Sequence, residues 1–108
     1  MPEKTSDAPC PVDVALAVVG GRWKMPLVWA LLDGPLRYGA LRRRVGASER
    51  VFIRQLRQLE ADRVVHREQY PEVPPRVEYS LTERGRALVP VLHQLGEWAV
   101  DHLDVGPS

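Results

Sequence analysis

The spacing of apolar and polar residues divides the chain into five helical segments and one hairpin. The clearest helix covers residues 48–62, where Phe52, Leu56 and Leu59 recur at intervals of four and three residues and form an apolar stripe. Ser48 is a suitable N-cap, because its hydroxyl can accept a backbone N–H that the first turn leaves unpaired. Another face of this segment is cationic and carries three arginines: Arg50, Arg54 and Arg57.

Three further helices precede this one. Residues 12–19 are apolar and end at a Gly-Gly pair, and residues 22–32 have one packed side. Pro26 fits the second of these helices only if it lies in the first turn, where no backbone hydrogen bond is lost. A brief extended piece at residues 36–37 is followed by a third helix at residues 38–45. The short turn between that helix and residues 48–62 predicts a helix-turn-helix.

Two alternating segments after the helix-turn-helix predict a β-hairpin. Residues 64–70 alternate in part and residues 76–81 alternate well, with a proline-rich loop between them. A hairpin in this position is a wing, which we define as residues 70–77, with Arg76 at its tip. The predicted fold is mainly α with a small β-hairpin (α+β), a winged helix-turn-helix in residues 10–104. Residues 1–9 are expected to form a mobile arm and residues 105–108 a tail.

The last helix is expected to begin at a Thr82 cap and to reach about residue 103. Pro90 lies within it and predicts a kink or a division there. Its apolar surface is wider than a one-sided helix requires, which favours a covering second chain over burial in the monomer core. The residues expected at such a dimer interface on this helix are Leu92, Leu95, Trp98 and Ala99.

Charge is concentrated in one part of the chain. The net charge is only +1, yet residues 36–57 contain seven arginines and one acidic residue, a local excess of +6. Such a concentration indicates a polyanionic partner. A cationic helix held rigidly from behind is suited to the major groove of double-stranded DNA. The alternative for the helix alone is a solvated charged face.

Other classes of function find little support. One cysteine excludes an internal disulfide, and with three scattered histidines it predicts no structural zinc site. We find no nucleophile–base pair, phosphate loop or effector site, so neither an enzyme nor a bound cofactor is predicted. No apolar run approaches the roughly 20 residues of a membrane helix. The N-terminal residues lack an apolar signal core, so neither export nor a membrane partner is expected.

We predict DNA contacts for individual residues of the helix-turn-helix. Arg50 and Arg54 are candidates for base edges, and Ile53 for a thymine methyl group. Glu49 either accepts from a cytosine amino group or favours the helix N-terminus through the helix dipole. Phosphate contacts are expected from three other side chains: Arg37, Ser48 and Arg57.

Three further features near the helix-turn-helix also bear on DNA binding. Tyr38 either reaches a phosphate through its hydroxyl or packs beneath the turn. Arg76 is the candidate for the minor groove. The run of arginines at residues 42–44 surrounds most of a helix turn, so at least one of them is expected to be solvated or paired with an acid.

Cys10 and the tryptophans are also open to two interpretations. Cys10 precedes the first helix, and a thiol near a helix N-terminus is more reactive, so it is a possible redox sensor. The alternative is a small buried residue. The three tryptophans either line a small-molecule pocket or belong to the core, and we favour the core for all of them: Trp23, Trp29 and Trp98.

Nearly the whole chain, from Cys10 to about His102, resembles the HxlR-type winged helix-turn-helix regulators of bacteria, which are related to the MarR type. The most specific matches are Cys10-Pro11-Val12, Gly20-Gly21-Arg22-Trp23, Leu56-Arg57-Gln58-Leu59-Glu60 and the YPEVPPRVEYSLT stretch from Tyr70 to Thr82. The resemblance implies a cytoplasmic transcription factor whose first and last helices form a homodimer, with Val14 and Leu16 in the interface. Some members of the family sense oxidants through a cysteine at the place of Cys10, so the resemblance also implies a possible sensing role for this residue.

The chain departs from that family pattern at three places. The turn before residue 48 is about one residue shorter than usual, and Ile53 stands where the family often has Thr or Ser. Arg63 stands where the family commonly has Gly, and a left-handed backbone there would cost roughly 1 kcal/mol. The resulting hypothesis is a sequence-specific dimeric regulator, with repression favoured over activation. The alternative is a winged-helix protein-assembly module without specific DNA binding.

Overall fold

The computed structural model describes residues 8–105, which form five helices and a three-stranded sheet. The elements in chain order are α1 (Pro11–Val19), α2 (Lys24–Ala30), β1 (Leu36–Arg37), α3 (Tyr38–Val45), α4 (Glu49–Ala61), β2 (Val65–Tyr70), β3 (Arg76–Leu81) and α5 (Glu83–His102). The predicted arm and tail fall mainly on residues outside the described part. The α+β winged helix-turn-helix fold is confirmed.

The core forms where α2 meets α3, α4 and α5. The apolar stripe of α4 enters this core as predicted, since Phe52, Leu56 and Leu59 are all buried. Leu27 of α2 and Leu41 of α3 are also fully buried against them. The apolar faces of α3 and α4 are therefore covered, which is the main source of stability for helices this short.

The connection between α3 and α4 is the turn of the helix-turn-helix. Gly46 ends α3 in the left-handed region at φ 79°, and its N–H donates to the carbonyl oxygen of Arg42 at 2.9 Å. The hydroxyl of Ser48 then accepts from the backbone N–H of Val51 at 3.4 Å, so the predicted N-cap is confirmed. These two caps fix where α4 begins and how it leaves α3.

The sheet is antiparallel, with the strand order β1-β3-β2. Tyr70 faces Arg76 at the wing end of the β2–β3 hairpin. The extended piece at residues 36–37 is confirmed, but it also pairs with β3 as a third strand, which the hairpin prediction did not include. Two residues are too few to show an alternating pattern, so only the folded structure reveals this pairing.

Two helices differ from their predicted form. α2 begins at Lys24 and ends at Ala30, inside the predicted residues 22–32, and Pro26 lies in its first turn as required. α5 runs unbroken through Pro90, so of the two predicted alternatives the division is wrong and the kink stays a prediction. Proline removes one backbone N–H, but the remaining bonds on both sides keep the helix continuous.

The tryptophans do not all belong to the protomer core. Trp23 packs against the core, as expected. Trp29 is 41% exposed and Trp98 is 53% exposed, so the core assignment is wrong for both within one protomer. Sequence patterns could not show this, because the apolar faces of α2 and α5 extend beyond the surface that one protomer covers.

Candidate nucleic-acid interface

The outer face of α4 is a row of free cations. Arg50, Arg54 and Arg57 are all exposed, on the side of the helix opposite its buried apolar stripe. Within residues 8–105, the ion pairs to carboxylates involve other side chains, so none of these three guanidinium groups is neutralised. The helix is thus fixed from behind and presents donors that suit guanine edges and phosphates.

The other candidates on this helix lie around the same face. Ser48 and Glu49 are exposed at the N-terminus of α4, and Ile53 is half-buried one turn further on. Ile53 lines a cleft of about 370 Å³ together with Arg57 and Arg67. Arg67 was not among the predicted residues. It shares the sheet face of buried Val65 and pairs with Tyr79, so alternation alone predicts an inward side chain there and not an exposed one.

The three arginines of the α3 run have different surroundings, and one of them is paired with an acid, as expected. Arg42 pairs with Glu49 at 3.6 Å, Arg43 lies beside Gly39, and Arg44 lines a groove between α2 and α5. The ion pair gives Glu49 a role that neither sequence interpretation included. It ties the end of α3 to the start of α4 across the turn.

Tyr38 packs beneath the turn and does not offer its hydroxyl to solvent. Its ring meets that of Phe52 edge-on, with 5.3 Å between centroids. The hydroxyl is buried and has no hydrogen-bond partner among the described residues. The structure therefore supports the packing interpretation, and the phosphate contact through the hydroxyl is not supported. Arg37, just before Tyr38, is exposed and remains a phosphate candidate.

Arg76 is not a free cation at the tip of the wing. It is the first residue of β3, and its guanidinium lies 4.0 Å from the centroid of the Tyr70 ring. It also pairs with Glu72 at 2.9 Å and with Glu78 at 3.7 Å. The side chain holds the two ends of the wing loop together, so a minor-groove contact by Arg76 requires these ion pairs to open.

Cys10 lies directly before α1 and is half-buried. Its carbonyl oxygen accepts from the N–H of Val14 at 3.1 Å, so it is the N-cap residue by its backbone. Its thiol makes no capping hydrogen bond. The sulfur therefore lies near the N-terminus of a helix without being used to complete it.

An apolar face extends over α1 and α5. Val14, Leu16, Leu95 and Trp98 are exposed and Ala99 is half-buried, as an interface requires. Leu92 departs from the predicted set, because it is only 7% exposed and belongs to the protomer core. Val91 of α5 is exposed as well. Three further exposed residues were not predicted: Val12 on α1, Val100 on α5 and Leu103 directly after α5.

The described residues show neither a metal centre nor a membrane span. Residues 8–105 hold no group of three or more His, Cys, Asp or Glu side chains placed to bind a metal ion. Within the same residues, each helix is too short or too polar to cross a membrane.

A family model and the sequences of known proteins both assign the chain to the same family. The model of the HxlR-like helix-turn-helix family matches residues 18–106. The chain is 48% identical over 97 residues to the uncharacterized HTH-type transcriptional regulator YybR of Bacillus subtilis strain 168, covering 89% of this chain and 78% of that relative. A similar regulator of Methanothermobacter thermautotrophicus is 47% identical over 90 residues, which cover 82% of this chain and 69% of the relative.

Solved structures of similar sequence have the same fold. The redox regulator HypR in its oxidized form is 48% identical with a TM-score of 0.78, covering 89% of this chain and all of that one. Diamide-treated YodB of Bacillus subtilis is 31% identical with a TM-score of 0.78, covering 90% of this chain and 98% of that one. These relatives are named as transcriptional regulators and not as enzymes, which agrees with the sequence-based exclusion of an enzyme. The chain belongs to the HxlR-like helix-turn-helix family of transcriptional regulators.

Proposed function

We propose that the protein is a homodimeric, sequence-specific regulator that binds double-stranded DNA in the cytoplasm and represses transcription. In each protomer α4 enters the major groove and the wing approaches the minor groove. The observation that carries this proposal is the unpaired cationic face of α4, opposite a fully buried apolar stripe. A rigid helix with free guanidinium groups meets the geometric and electrostatic needs of groove binding.

The residues of this interface have different tasks. Arg50 and Arg54 read base edges, and Ile53 is near enough to the same face to contact a thymine methyl group. Arg37, Ser48 and Arg57 bind phosphates and set the register. Glu49 orders the turn through Arg42, so it acts by positioning α4.

Replacing Arg54 by alanine tests the groove assignment. Binding should weaken by roughly 1–3 kcal/mol, and the preference at one base position should be lost, because a base contact carries sequence information. Arg57→Ala should weaken binding to all sequences about equally, since a phosphate contact does not. Fluorescence anisotropy with a set of singly substituted duplexes measures both effects.

A matched control for these variants is Arg86→Ala, which removes an exposed arginine on α5. It should leave both affinity and sequence preference close to those of the wild type. If Arg54→Ala behaved like Arg86→Ala, α4 would not be the reading helix.

We also propose that Cys10 makes the regulator responsive to oxidants. Its half-buried thiol at the start of α1 and the similarity to redox regulators support this role. Cys10 is the only cysteine of the 108-residue chain, so any disulfide must join it to a second chain or to a small thiol. Either product would alter the start of a helix that is expected to lie in the dimer interface.

The redox proposal predicts reversible loss of DNA binding. Diamide should oxidise the Cys10 thiol to a disulfide and lower DNA affinity, and dithiothreitol should restore both thiol and affinity. A non-reducing gel and intact mass, with and without added glutathione, identify the product. Cys10→Ser should bind DNA but not respond, and a normal response of this variant would rule out the thiol switch.

A further inference from the structure

Arg67 lies on a face of the sheet where a cation is not expected. Val65 on the same face is 2% exposed, and Tyr79, which lies opposite Arg67 in the ladder, is 8% exposed. Arg67 itself is exposed, and its guanidinium donates to Oε1 of Gln69 at 3.4 Å. Among residues 8–105, the carboxylates that form ion pairs do so with other side chains. The charge of Arg67 is therefore not neutralised.

The cleft between α4 and the sheet brings Arg67 together with Arg57. Both line the same space of about 370 Å³, Arg57 from α4 and Arg67 from β2. Glu60 also lines this cleft, but within the described chain it forms no ion pair with either guanidinium. Two positive charges beside one cleft repel each other, and an anion between them is attracted by both. The guanidinium fork suits a phosphate, because two N–H groups can donate to two phosphate oxygens.

The position of the cleft favours a phosphate of the DNA backbone. Ile53, the candidate for a thymine methyl group, lines the cleft as well, so the cleft is continuous with the proposed reading face. Arg67 lies three residues before Tyr70, which is roughly 10 Å along the strand from the start of the wing. The sugar-phosphate backbone separates the major groove from the minor groove. A phosphate bound in the cleft would therefore lie between α4 and the wing.

The wing, all of which the structure describes, has no free cation of its own. Residues 70–77 contain one glutamate and one arginine, so they have no net charge. The arginine, Arg76, is held by Glu72, by Glu78 and by the ring of Tyr70. A wing that approaches the negatively charged backbone needs a positive contact from outside residues 70–77. Arg67 is the nearest arginine before the wing in the chain.

We propose that Arg67 is a DNA-binding residue, and that Arg57 and Arg67 together clamp one backbone phosphate between the major groove that α4 enters and the minor groove that the wing approaches. One phosphate then fixes α4 and the strand that leads into the wing in the same register. This inference rests on the proposed DNA-binding function and adds how the wing is held on the DNA.

A scan with a neutral backbone tests the clamp. Single methylphosphonate substitutions along a duplex that the protein selects remove one phosphate charge at a time, and fluorescence anisotropy measures the affinity for each duplex. Arg67→Ala should bind all sequences about tenfold more weakly, and it should lose the wild-type sensitivity to methylphosphonate at one position in each half-site. Arg57→Ala should lose sensitivity at that same position, because both guanidinium groups hold the same charge.

Two further variants make the result specific. Combining Arg57→Ala with Arg67→Ala should weaken binding by less than the product of the two single effects, because each guanidinium positions the phosphate for the other. Arg86→Ala removes an exposed arginine of α5 and should keep the wild-type affinity and sensitivity at every position. Circular dichroism checks folding, which should hold because the side chains of Arg57 and Arg67 are exposed.

The outcomes separate the clamp from the proposed function. If Arg67→Ala kept the wild-type affinity, or if the two single variants lost sensitivity at different positions, no shared backbone phosphate would occupy the cleft. Calorimetric binding of inorganic phosphate without DNA, combined with no shared position in the scan, would identify a free anion as the ligand and would also overturn the clamp. In each of these cases a site preference that still depends on Arg54 leaves the proposed regulator intact. A wild-type protein that selects no DNA would contradict both.

Discussion

At the scale of single residues, Arg63 and Arg76 show what a side chain contributes beyond its charge. Arg63 follows α4 with a left-handed backbone at φ 61°, which a glycine would adopt without strain. Its departure from the family pattern was visible in the sequence, and the structure confirms the positive φ. The ion pairs of Arg76 were not predictable, because Glu72 and Glu78 come near it only when the hairpin has formed in its observed register.

Arg63→Gly should stabilise the protein. Removing the left-handed strain should raise the free energy of unfolding by up to about 1 kcal/mol, less the entropy that glycine adds to the unfolded chain. Urea denaturation measures the change. Arg63→Ala is the control, since it removes the same side chain but keeps the strain, and an equal gain in both variants would show that backbone conformation is not the cause.

At the scale of elements, helix caps and close contacts decide how α5 joins the sheet. The hydroxyl of Thr82 accepts from the N–H of Gly85 at 3.0 Å and donates to the carbonyl oxygen of Arg63. The cap was predictable from the sequence, because Thr at that position is a common N-cap. The close approach of Gly85 to the carbonyl oxygen of Val64 was not, since it arises from residues far apart in the chain.

Alanine at two glycines of α5 should therefore have opposite effects. Gly85→Ala should destabilise the protein by roughly 1–3 kcal/mol, because its Cβ would collide with the backbone of Val64. The Cβ that Gly96→Ala adds has no neighbouring atom within 4 Å in one protomer, so this variant should stabilise α5 by up to about 1 kcal/mol. Thermal and urea unfolding measure both variants, and loss of stability of similar size in the two would contradict this account of Gly85.

At the scale of the whole molecule, two surfaces with different chemistry divide the tasks. The cationic surface of α4 is the proposed contact with DNA, and the apolar surface of α1 and α5 is the proposed contact with a second protomer. The sequence predicted both by their composition, because charge density and surplus apolar area are visible without a structure. It could not place Leu92 inside the core or Trp29 outside it, since that depends on how much of α5 and α2 a single protomer covers.

The salt dependence of DNA binding tests the central claim most directly. Genomic fragments that the purified protein selects should be bound in preference to shuffled duplexes of the same composition. Affinity for the selected site should fall by on the order of a thousandfold between 50 and 200 mM salt, as expected when several phosphate contacts release counterions. Weak binding that is equal for selected and shuffled DNA and changes little with salt would contradict the account and favour a protein-assembly module.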